Sequence, residues 1–138
     1  MSYRVIPAHR LSVTVVAGRV DADEFRELAR RQQSDADWHA ATRMLTDNRT
    51  AVVDDVSVDA IRKFSALYDA MRAEDPPVRD AIVAATSFRL SSRFADQRAR
   101  SEATSIVFGD LSTACVWLGV DEDLVRTTIR SLREGQDL

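Results

Sequence analysis

Residues Asp80 to Ala85 form a nearly continuous apolar run of strand length, set just after the helix-breaking Asp75-Pro76-Pro77. An apolar run without alternation suits a strand covered on both faces, the usual situation in a parallel sheet with helices on either side. Parallel neighbours need crossover connections, so the flanking segments should read as helices. They do. Ala22 to Gln33 places Phe25, Leu28 and Ala29 at helical spacing behind Asp21, which precedes Glu24 by three in an acidic form of the capping box. Ser57 can cap a helix with the stripe Ile61, Phe64, Leu67, Tyr68 and Met71. Ser87 to Ala99 reads as a helix with Phe88, Leu90 and Phe94 inward. Asp110 caps another, with Leu111, Ala114, Cys115 and Leu118 inward and Gly119 as its C-cap. Asp121 opens the last, with Glu122 and Asp123 in its first turn and Arg126, Arg130 and Arg133 further on, the charge order the helix dipole prefers.

The remaining β-rich runs are Tyr3 to Pro7 and Leu11 to Ala17, joined by a connection of hairpin length, a short strand Arg43 to Thr46 ending at Asp47, and Ser105 to Phe108. Asn48 to Val56 is expected as loop. The order β-β-α-β-α-β-α-β-α-α predicts one α/β domain over residues 1–138. Its sheet is five-stranded and mixed, an antiparallel N-terminal hairpin beside parallel strands joined by helical crossovers, with an extra C-terminal helix.

Several short strings in this order resemble the STAS-like, or SpoIIAA-like, family of small bacterial proteins. They are Tyr3-Arg4-Val5-Ile6-Pro7, Gly18-Arg19-Val20, Asp37-Trp38, Leu45-Thr46-Asp47-Asn48-Arg49, Ala81-Ile82-Val83-Ala84, Arg93-Phe94, Val107-Phe108-Gly109-Asp110-Leu111 and Ala114 with Trp117-Leu118-Gly119. The resemblance implies a mixed sheet flanked by helices and a regulatory or ligand-binding role rather than catalysis. Some relatives of this fold bind protein partners and are switched by phosphorylation of a serine that opens the helix after the third strand. Here Val56 falls where that serine would stand. Ser57 comes one residue later and is followed by Val58 in place of the usual glycine.

Candidate site residues gather where strands end. Ligands of open α/β sheets bind beyond the carboxyl ends of the strands, which selects Asp47, Asn48 and Arg49, then Ser87 and Arg89, then Asp110. Arg89 and Arg93 share one helical face and could seat an anion or an acidic partner. Ser57 could carry a phosphate at a helix N-terminus. The plain alternatives are capping for Ser57, ordinary loop and cap chemistry for the strand ends, and a solvated face for the arginines. Asp54-Asp55 is no metal site by itself, and His9 and His39 have no ligand pattern around them, so no metal or cofactor is expected. His9 reads as a turn residue, His39 as loop or surface, Trp38 and Trp117 as core or interface anchors, and Cys115 as an inert core thiol. No G-x-G-x-x-G, P-loop, G-x-S-x-G or H-E-x-x-H string occurs.

Composition narrows the partners. A chain of 138 residues with 45% hydrophobic and 30% charged residues is globular. Its net charge of −3 and pI near 5.4 do not favour nucleic acid. Lys63 is the sole lysine, an arginine bias read as codon usage. A single cysteine, no signal-peptide pattern and no apolar run of membrane length lead to an expected cytoplasmic location. The leading expectation is a non-enzymatic module that binds a protein or small ligand. The alternatives are a carrier of a lipid or other apolar molecule, and an enzyme using Asp47 as base and Arg89 as anion clamp. A homodimer suits any of them.

Overall fold

The computed structural model describes residues 1–52, 56–85 and 104–135. Strands β1 (Ser2–Ile6) and β2 (Leu11–Arg19) form an antiparallel ribbon. It turns through a 3-10 helix at Pro7–His9, with His9 in the turn and Arg10 in the left-handed region at φ 49°. Held this way, the Arg10 carbonyl accepts N–H groups from both Thr42 and Arg43, which pins the turn to the start of the next strand. Helices α1 (Ala22–Gln33) and α2 (Ala36–Ala40) follow, then β3 (Arg43–Val52), α3 (Val58–Met71), β4 (Arg79–Val83), β5 (Thr104–Phe108), α4 (Leu111–Leu118) and α5 (Glu122–Arg133). The strands lie in the order β1-β2-β3-β4-β5, and every pairing after the first is parallel. The expected five-stranded mixed α/β sheet is therefore present.

One face of the sheet is apolar and fully packed. Leu11, Val13, Val15, Leu45, Ala81 and Val83 meet Leu111, Ala114, Cys115 and Leu118 of α4 and Val125 and Ile129 of α5. Phe108 and Trp117 close this core at the β5 side, with ring centroids 5.6 Å apart. Arg79 lies over the Trp117 ring at 4.3 Å. The other face has a different character. Ser12, Thr14, Asp80 and Ser105 are buried there, and the Ser105 hydroxyl donates to Asp80.

The layer of α1, α2 and α3 is held by a buried cation. Arg72, 8% exposed at the end of α3, donates to the carbonyls of Trp38, His39, Ala41 and Pro76. Its guanidinium lies 4.9 Å from the ring centroid of Trp38, itself buried as expected. A planar fork of five donors is the one side chain that can satisfy several converging carbonyls at once. Tyr3 adds a tie from the sheet. Its hydroxyl donates to Asp35, whose other oxygen caps α2 through the N–H groups of Asp37 and Trp38.

Three sequence expectations need correction. The third strand does not end at Asp47, because it runs on through Asn48 and Arg49 to Val52. The polar string Asp47-Asn48-Arg49-Thr50 resembles a loop, but the long outer half of β2 remains beside it as a pairing partner, and Ala51 packs inward on Val16 and Val20. His39 lies in a helix rather than a loop. That helix is only Ala36–Ala40, too short for periodicity to reveal, and is set by the Asp35 cap. Leu67 is exposed, since the buried line of α3 runs through Ile61 and Ser65 to Arg72. The expected helix Ser87 to Ala99 and the Asp54-Asp55 pair lie outside the described residues.

Replacing Arg72 with Met strands several buried carbonyls, and urea unfolding is expected to show a loss of about 3 kcal/mol. Arg72→Lys restores only part of it, because an ammonium cannot fork.

Candidate functional site

The parallel strands β2 to β5 deliver their carboxyl ends to one rim, where the sequence places most of its candidate residues. The rim is shaped by a bulge. Register runs from Val15↔Asp47 to Ala17↔Thr50, so Asn48 and Arg49 together stand opposite Val16. A bulge of this kind bends a strand and re-aims its side chains. It occurs just where β4 leaves the pairing, the last β3–β4 partners being Asp47 and Val83. Beyond that point, among the described residues, β3 is paired with β2 alone.

Asp47 alternates with Leu45 and so points into the apolar face beneath α4 and α5. It is 0% exposed. A buried carboxylate requires compensation, and two guanidiniums provide it. Arg49 grips it from the bulge, Nε donating to Oδ1 at 2.9 Å and Nη2 to Oδ2 at 3.1 Å, while its backbone N–H reaches Oδ1 at 3.1 Å. Arg133, in the last turn of α5, donates from Nη2 to Oδ2 at 2.7 Å. Burial pushes the carboxyl upward. The hydrogen bonds from Arg49 and Arg133 outweigh it and hold Asp47 below the ordinary carboxylate value. Both guanidiniums keep about a third of their surface in solvent, at 31% and 32%. The rim thus shows two half-open cations above a hidden anion.

The other candidates serve as caps. Ser57 is exposed, and its Oγ accepts the N–H of Ala60 at 3.1 Å to start α3. Asp110 accepts the N–H and the hydroxyl of Thr113, at 2.8 and 3.0 Å, to start α4. Those two bonds depress its pKa, the backbone one more. Val56, next to Ser57, packs toward Val16, Val20 and Ala51. Asn48 is half-buried in the bulge. Ser87, Arg89 and Arg93 lie outside the described residues.

The sequence selected Asp47 and Arg49 but gave Arg133 only a dipole role. Nothing local signals a contact spanning 86 positions, so only a buried aspartate in want of a second cation could have prompted the search. His39 is the second surprise. Its Nδ1 meets Asp75 Oδ2 and its Nε2 lies 2.8 Å from the Gln33 carbonyl. Bonding to Asp75 raises its pKa against partial burial, and the Gln33 carbonyl adds to the rise. Cys115 is buried, and burial with nearby Glu122 lifts its thiol to about 11. Among the described residues no group of three or more His, Cys, Asp or Glu side chains could hold a metal ion, and no helix is long and apolar enough to cross a membrane.

Asp47→Asn is expected to cost about 3 kcal/mol at neutral pH, because it weakens a buried ion pair on one side only. Since the folded pKa is depressed, the contribution is complete above the unfolded aspartate value and disappears as pH falls through the folded one. Urea midpoints of the wild type should therefore approach those of the variant in strong acid. Native Cys115 should react with a thiol probe at least about a hundredfold more slowly than in the unfolded chain, through rare opening only. Compared with known proteins, the chain matches no family model, no curated protein and no solved structure.

Proposed function

We propose that this protein is a non-enzymatic, cytoplasmic regulatory module of the STAS-like family that binds a partner protein at the rim. The observation carrying this reading is the inward commitment of the rim's polar groups. Asp47 is sealed between two arginines, and Ser57 and Asp110 hold helix ends. Such groups shape a surface. A general base would need an oxygen open to substrate, and both oxygens of Asp47 are taken.

What the rim offers outward is the half-open pair Arg49 and Arg133, the exposed Ser57, and two exposed apolar side chains, Val52 and Val58. Apolar contact ringed by arginine is a common composition for a protein interface. The family resemblance supports the same reading. Its strings coincide with the step out of β2, the bulged end of β3, the inner strand β4 and the turn from β5 into α4. An apolar-ligand carrier is less well supported, since one sheet face is covered by α4 and α5 and the other places buried Ser12, Thr14, Asp80 and Ser105 among its apolar residues Val16 and Ile82.

The test is affinity purification from the host cell with the wild type and a Val52→Asp/Val58→Asp variant as baits, both checked for native folding. A protein retained by the wild type and lost from the variant is the expected result. Retention unaffected by the rim change, or a lipid carried by the purified protein in native mass spectrometry, would overturn the assignment.

A further inference from the structure

Away from the rim, where α1 ends and β4 is about to begin, His39 occupies a position with a chemical consequence of its own. Both ring nitrogens face acceptors. Nδ1 meets the carboxylate of Asp75, in the connection between α3 and β4, and Nε2 meets the carbonyl of Gln33, the last residue of α1. Only an imidazolium can donate to both, because neutral imidazole has a single N–H. The charged groups acting on the ring are Asp75 and Arg72. Arg72 lies 3.8 Å from Asp75 and donates to the backbone carbonyl of His39. The Trp38 ring packs edge-on at 5.1 Å.

We propose that His39 is a pH-sensitive latch, fastening the end of α1 to α2 and to the α3–β4 connection when doubly protonated and releasing the Gln33 carbonyl when neutral. The asymmetry follows from the acceptors. A carboxylate is the stronger one and keeps the remaining N–H, so the Nε2 lone pair is left against the Gln33 oxygen and the last turn of α1 loosens. The neighbouring residue gives this local event a wider reach. Gln32 is buried and accepts the hydroxyl of Tyr68, so the end of α1 also contacts α3, alongside the Phe25–Phe64 stack near its start.

The direction is fixed by linkage. A histidine that gains partners on folding contributes stability that is complete below its unfolded pKa and lost as pH rises through the folded one. The latch is closed below the ordinary histidine value and opens as pH rises through the raised folded one, a range in which few other side chains titrate.

Ring NMR titration of a His9→Gln variant, which leaves His39 as the sole histidine, should show a midpoint above that of free histidine. Hydrogen exchange in Arg31–Ala40, corrected for intrinsic rates, should accelerate through the same midpoint. The change can reach about tenfold for each unit by which folded and unfolded pKa differ. Asp75→Asn should lower the midpoint and move the exchange transition with it, while His39→Gln should abolish the transition. A ring titrating at or below the free value, exchange in this segment indifferent to pH, or a transition that survives His39→Gln would each overturn the proposal.

Discussion

A carboxylate with no access to water sits where β3 bulges and parts from β4, and the arrangement of the rim follows from how it is neutralised. Asp47 could not remain charged beneath α4 and α5 without its two guanidiniums. One comes from the adjacent bulge and fixes the path of β3. The other comes from the end of the chain and fixes where α5 lies. The charge cluster therefore specifies more than it stabilises. Replacing it with apolar residues of similar volume could leave the core as stable, yet would no longer say which turn of α5 belongs over which residue of β3.

A second charged cluster, at the far end of the helical layer, works by the same principle with different chemistry. Arg72 gathers carbonyls from α2 and from the connection into β4, while His39 and Asp75 tie in the end of α1. Between the two clusters lies a continuous apolar core on one side of the sheet, and on the other a mixed layer in which Ser12, Thr14, Asp80 and Ser105 are buried beside Val16 and Ile82. Apolar side chains fill the first face, while buried polar groups interrupt the apolar surface of the second.

Much of this was legible from local pattern. The apolar run Ala81 to Ala85 announced a doubly covered strand, the caps Asp21, Ser57, Asp110 and Asp121 located four helix starts, and Gly119 located a helix end. In each case the signal and the structure it forms lie within a few residues. The failures share the opposite property. Helix α2 is too short for a period and depends on a capping aspartate tied to Tyr3. The continuation of β3 depends on β2 being long enough to pair with it. Leu67 was expected inside because apolarity was weighed above the line of Ile61, Ser65 and Arg72, which is buried although partly polar, Arg72 because converging carbonyls await its guanidinium.

The sequence alone determined the five strands, their order and the mixed character of the sheet, with the capped starts of four helices, because helix caps, strand runs and turn residues act through neighbours in the chain. Only the tertiary structure decided that Asp47 is a buried anchor, that Arg133 is its partner and that His39 bridges two acceptors. Burial and charge pairing are properties of what lies across a contact, and the residues across these contacts are far away in the chain.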